Sequence, residues 1–159
     1  MPGLLHPNSM NPLAVFQNHV LLSALIAWGL AQGLKIPLDY LHSRRWNWAL
    51  LLSVGGMPSS HAALVVAVTH AVGLYNGFET SQFAICVVIC MVVIYDATGI
   101  RRQAGIHAQT INILVEELLK GHPISENQLR EVLGHTPLEA VGGFMLGLVV
   151  TQLLWFFWR

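Results

Sequence analysis

The stretch PLEAVGGFMLGLVVTQLLWFFW, Pro137 to Trp158, decides what kind of molecule this is. About 22 residues run with only Glu139, Thr151 and Gln152 as polar interruptions, enough at 1.5 Å per residue to cross a ~30 Å hydrocarbon layer. Gly143 and Gly147, one helical turn apart, open one face of the segment to close approach by another helix. Trp155, Phe156, Phe157, Trp158 and Arg159 close it as an interfacial anchor.

The rest of the chain fits this solvent. Of 159 residues, 54% are hydrophobic and only 10% charged, against about 25% charged in a soluble domain. Too little charge is present to coat a water-facing surface, so the surrounding lipids are the expected partners. The net charge is zero, which argues against nucleic acid, because phosphate-backbone binding needs a basic excess. Leu13 to Leu34 reads as a first span ended by Lys35, Pro58 to Leu74 as a second opened by Pro58 at its first helical position, and Gln82 to Ile94 as a third. The expected fold is an all-α integral membrane protein of about four transmembrane helices plus short interfacial helices. It forms a single membrane domain, 1–159, and a homo-oligomer stays open.

Between the spans lie a flexible tail (1–12) and two long loops (35–57 and 99–136). The tail lacks the basic region of a signal peptide. In the first loop, Arg44, Arg45, Trp46 and Trp48 suit the membrane interface, and Ala49 to Val54 is apolar but too short to span, so it reads as interfacial or partly re-entrant. In the second, Gly105 to Lys120 has the mixed three-four spacing of an amphipathic helix, and Ser125 to Leu133 resembles a short helix. Cys86 and Cys90 share a helix face and read as apolar filler rather than a disulfide. His19 and His70 fall inside spans, where a neutral imidazole bonded to a neighbouring helix is the plainer reading.

Seven of the eight basic residues are Lys35, Arg44, Arg45, Arg101, Arg102, Lys120 and Arg130, all in or beside the two long loops. The positive-inside rule puts those loops in the cytoplasm and both termini on the opposite side, in a bacterial inner membrane or an organelle membrane. Whichever way the chain inserts, an even number of crossings relates His61, the Asp96–Arg102 cluster and the His135–Glu139 cluster, so all three share one face.

Each cluster has its own chemistry. Gly55, Gly56, Met57, Pro58, Ser59, Ser60 and His61 combine a close-approach backbone with a helix N-terminus suited to an anion, two hydroxyls and a proton donor. An ordinary N-cap beside a surface histidine is the plainer alternative. Asp96 to Gly105 places Arg101 and Arg102 among glycines, able to grip phosphate oxygens bidentately or simply to anchor the loop, with Asp96 as a local ion-pair partner. His135 and Glu139 sit at helical spacing, so the carboxylate can accept from one ring nitrogen and leave the other for attack; the plainer alternative is an interfacial capping pair. The eight histidines offer no convincing ligand spacing together with a third ligand, so neither a metal nor a cofactor is expected.

Pro58-Ser59-Ser60-His61 resembles the P-S-G-H motif of the type-2 phosphatidic acid phosphatase and vanadium haloperoxidase superfamily, and His135-Thr136-Pro137-Leu138-Glu139 its last motif. With the block from Asp96 to Gly105 between them, the chain is similar to the divergent branch of that superfamily. The resemblance implies a metal-independent phosphatase acting on a lipid phosphate or pyrophosphate, polyprenyl or phosphatidate-like. It implies that His135 attacks phosphorus and forms a phosphohistidine, that Glu139 orients His135, and that His61 protonates the leaving alcohol. Ser59, Ser60, Arg101, Arg102 and Lys35 would bind phosphate, with Asp96, Gly55 and Gly56 in support. The chain departs from the pattern at several points. His42 stands seven residues after Lys35 where an arginine-proline pair is usual, Leu129 replaces an arginine six before the last histidine, Glu139 replaces aspartate and Ser60 replaces glycine. A non-catalytic lipid-phosphate binder or transporter is the alternative function, and a purely structural membrane partner a third.

Overall fold

The computed structural model describes residues 12–53, 55–118 and 136–159, and among these the chain is helical without a strand. Five α-helices follow one another: α1 (His19–Ser43), α2 (Ser60–Asn76), α3 (Ser81–Thr98), α4 (Ile100–Leu118) and α5 (Pro137–Trp158). Single-turn 3₁₀ pieces at Pro12–Gln17 and Trp48–Leu52 precede α1 and α2.

Local side chains set the starts. Asn18 caps α1 by accepting from the Leu21 amide at 3.0 Å, and Ser59 and Thr80 cap α2 and α3 in the same way. Thr136 and Glu139 form a reciprocal capping box at α5, with Pro137 in the first turn. Three stretches are long and apolar enough to cross a bilayer: His19–Leu41, Pro137–Trp158, and Ser81–Val115, which takes in α3 and most of α4. The 17 residues of α2 rise about 25 Å, at the short end of what spans. This is an all-α integral membrane protein, with three helical stretches long and apolar enough to cross and the shorter α2 packed among them.

Several boundaries differ from the sequence reading: α1 starts at His19 rather than Leu13 and α4 at Ile100 rather than Gly105. Lys35 does not end the first helix: α1 continues through it, and through Pro37, to Ser43. The reason is that the Lys35 ammonium is folded inward onto the Ser53 carbonyl, so the charge need not reach water at that point. The first loop therefore begins near Arg44, which ends α1 in the left-handed conformation (φ 57°). Pro58 is not the first helical residue of α2 either. Ser59 is the N-cap, because its hydroxyl can accept from the Ala62 amide and a proline has nothing to offer there; Pro58 precedes it and is itself joined to Met57 by a cis peptide bond. The 99–136 loop is helical over Ile100–Leu118, while the short helix expected at Ser125 to Leu133 lies outside the described residues.

Helix α2 sits at the centre, against α1, α3 and α5. Its buried residues are small: Ser60, Ala62, Ala63, Ala67, Ala71 and Gly73, with two valines. They meet Ala24, Ala27 and Ala31 of α1 on one side and Gly143, Gly147 and Val150 of α5 on the other, all buried. Lipid provides no hydrophobic drive between helices, so contact depends on backbones coming close enough for dense van der Waals packing. Gly143 lies directly over the Ser59 carbonyl and Gly147 over the Ala63 carbonyl, with no room for a Cβ at either. His70 Nε2 and Gln152 Oε1 share a hydrogen bond at 3.0 Å between α2 and α5, the interhelical partnership foreseen for that histidine. Cys86 and Cys90 are free thiols.

Gly143→Leu is expected to destabilise the protein by about 1–3 kcal/mol through overpacking, measured as a lower melting temperature in detergent. Gly142→Ala adds a methyl that meets only Met57 and Pro58 at ordinary contact distance, and should melt close to the parent. Equal melting of Gly143→Leu and the parent would show that α2 and α5 are not in backbone contact there.

Candidate functional site

The α2–α5 contact brings two helix N-termini to one corner. The Ser59 amide donates to the Glu139 carbonyl at 2.9 Å, joining the residue that caps α2 to the first turn of α5. Ser59 and Ser60 are buried and His61 and Glu139 half-buried. Each helix start concentrates N–H groups and the positive end of a dipole, so two starts side by side favour an anion more than either alone.

A cation lies in the same corner. Lys35 is only 2% exposed, and its Nζ donates to the Ser53 carbonyl at 3.0 Å. The Glu139 carboxylate attracts this ammonium electrostatically. Burial of an ammonium is costly unless such partners are present. Gly56 runs beside the Lys35 methylenes in a conformation (φ 94°) that favours glycine, which lets the loop fold over the lysine stem.

Gln32, one turn before Lys35 on α1, holds the loop from the same side. Its Nε2 donates to the Leu51 carbonyl at 2.7 Å and the Ser53 carbonyl at 3.2 Å. Gln32 lies inside the apolar first span, and no motif singles it out. The signal was available: Gln32 and Lys35 are three apart, hence on one helix face, and two buried polar groups on one face need partners. The apolar segment read as partly re-entrant is accordingly tied back onto α1 through its carbonyls.

Glu139 serves first as a capping residue. Its Oε2 accepts from the Thr136 amide at 3.1 Å and its own amide donates to Thr136 Oγ1 at 3.3 Å. Asp96 is half-buried near the end of α3. Its neighbours Ile94 and Thr98 face Pro137 and Ala140 of α5 across a cavity of about 280 Å³, so the end of α3 and the start of α5 lie on the same side of the bundle. Gly55 is half-buried in the loop before α2. Arg101 and Arg102 fall in the first turn of α4, on the α3 side, and their side chains are outside the described part. His135 lies outside the described residues; it is the residue before Thr136. The structure thus gathers Lys35, Gly56, Ser59, Ser60 and Glu139 at one corner, with His61 in the first turn of α2 and Asp96 on the same side.

A family model described as the Divergent PAP2 family matches residues 16–150, which takes in the corner and every helix that builds it. The chain belongs to that family. It is also 37% identical over 156 residues to the uncharacterized membrane protein YuiD of Bacillus subtilis (strain 168), covering 91% of this chain and 99% of that protein. No solved structure matches it significantly.

Gln32→Leu should strip the Leu51 carbonyl of its donor and leave the Ser53 carbonyl to Lys35 alone, at a cost of about 1–3 kcal/mol, and open the loop before α2 to limited proteolysis, with cleavage between Arg44 and Met57. Cleavage no faster than in the parent protein would show that Gln32 does not hold the segment.

Proposed function

We propose that this family member is a membrane-embedded phosphatase that hydrolyses a lipid phosphate or pyrophosphate through a phosphohistidine. The observation that carries the reading is the junction of the two motif-bearing helix starts, Ser59 amide to Glu139 carbonyl, beside the buried Lys35. Family membership supports the same reaction class.

In this reading, the phosphoryl oxygens take the charge of Lys35, the hydroxyls of Ser59 and Ser60 and the α2 N-terminus, with Arg101 and Arg102 approaching from α4. Gly55 and Gly56 give the backbone room, and Asp96 steadies the arginine pair. An imidazole nitrogen of His135 attacks phosphorus. The bond to the lipid oxygen breaks, and His61 supplies that oxygen with a proton. Water then attacks the phosphohistidine, gives its proton to His61 and releases phosphate, which returns the enzyme. Donors fixed before the reaction at the place where negative charge grows are worth most in a dry site. Glu139, whose carboxylate accepts from the Thr136 amide, would stabilise the charge on His135 in this reading.

Purified protein should release phosphate from a polyprenyl or phosphatidate-like phosphate in the presence of a metal chelator. His135→Ala should reduce turnover to background, and His61→Ala should reduce it by roughly 10²–10⁴-fold. Unchanged turnover in His135→Ala would remove the nucleophile assignment. Tight binding without turnover in the parent protein would favour the lipid-phosphate binder or transporter, a reading that the missing arginine-proline pair after Lys35 keeps in view.

The corner is assigned to the cytoplasmic face. A reporter fused after Arg159 should be external and one inserted near Gly121 internal; the opposite pattern would reverse the sidedness and leave the shared face intact.

A further inference from the structure

Helix α3 leans on α2 and touches α5 only lightly, and the gap between the three is an apolar groove of about 520 Å³. Val66 and Cys90, both buried, form its floor, and Val87, Met91, Phe144 and Leu148 its walls. Two polar side chains at its middle, Thr69 and His70, are turned into the helices. His70 is bonded to Gln152 at 3.0 Å, and Thr69 Oγ1 donates to the Val65 carbonyl at 2.8 Å and the Cys86 carbonyl at 3.2 Å. Committed in this way, they leave the groove a hydrocarbon-like surface at mid-membrane depth.

One end of the groove opens toward the candidate site. There it shares Ile94, Thr98 and Phe144 with the 280 Å³ cavity that reaches Pro137 and Ala140, the residues either side of Leu138 and Glu139. From Phe83 to Thr98 along α3 the groove covers fifteen residues, about 22 Å.

The geometry points to this groove as the seat of one hydrocarbon chain of a lipid whose phosphate occupies the α2–α5 corner. The inference rests on the phosphatase reading for its head-group end. The complementarity is twofold: an anion for the ammonium and the paired helix starts, and a single flexible chain for a long, narrow, dry channel leading away from them. A second chain of a two-tailed lipid would lie outside it, among the bulk lipids.

The test is photolabelling of the full chain in nanodiscs with long-chain phosphates carrying a diazirine at mid-chain, a linear alkyl phosphate in one arm and a prenyl phosphate in the other. Adducts are expected on Val87, Met91 and Leu148, displaced by excess unlabelled phosphate and not by the matching alcohol; the arm that labels more strongly names the chain. Met91→Trp, at an exposed position that tolerates bulk, should cut displaceable labelling several-fold. Labelling that is equal on the outward-facing Ile85, Val88 and Ile89, or that competitor does not displace, would overturn the proposal. Phosphate release is measured on the same parent sample. Displaceable groove labelling without release keeps the groove and removes the hydrolase; release with labelling that competitor does not displace keeps the hydrolase and removes the groove.

Discussion

The contact between α2 and α5 is the constraint from which the rest follows. In lipid, two apolar helices gain little by hiding from solvent, so they stay together only where their backbones can approach. Gly143 and Gly147 provide that approach, and they do so over the Ser59 and Ala63 carbonyls specifically. The register is therefore fixed. A slip of one turn, 5.4 Å, would put a side chain where no Cβ fits and would break the Ser59–Glu139 backbone hydrogen bond. Because the glycines sit in the first half of α5 and their partners in the first half of α2, the same register sets the two N-termini level. The meeting of the two helix starts is thus a by-product of how these helices can pack.

Lys35 shows how a charge is kept inside such a bundle. An ammonium within a span is expensive, and the offset here comes from three places: the Ser53 carbonyl, the Glu139 carboxylate and the chain folded over its stem at Gly56. The lysine and the loop support each other. Without Lys35 and Gln32 the Leu51 and Ser53 carbonyls lose their donors, and without the loop the ammonium loses its acceptor. Since the loop continues into Met57, Pro58 and Ser59, α1 acts at a distance on the start of α2.

Much of this was legible in the sequence because lipid imposes so few solutions. Pro137 to Trp158 is helical over the residues its hydropathy indicates, and Gly143, Gly147 and His70 play the parts read for them. What could not be read were features decided by tertiary partners. Lys35 resembles a helix end until a carbonyl from residue 53 is known to be within reach of it. Pro58 resembles a first helical residue until Ser59 is seen to cap. Gln32 carries no motif at all, and only its burial against the loop reveals what it holds. The site follows the same division. The helix starts that carry Ser59, Ser60, His61 and Glu139 were legible as local patterns, and their meeting beside Lys35 depends on packing between segments far apart in the chain.

Polar groups in this bundle are sorted by depth, and the sorting bears on what the corner can hold. At mid-membrane, each hydroxyl or imidazole described above is spent on another helix: His70 on Gln152, Thr69 on Cys86, Thr151 on the Ala67 carbonyl. Such pairs stiffen the bundle and leave little for a ligand. At the start of α2 and α5 the balance is different in kind. A helix start carries N–H groups that its own turns do not use, and here two starts and an ammonium lie beside the Glu139 carboxylate, which is itself engaged in capping. What the starts add is N–H donors. Under the proposed reading, a compact oxyanion is the ligand those donors suit, and the phosphate of a lipid is the form in which it would reach the edge of a lipid layer already anchored.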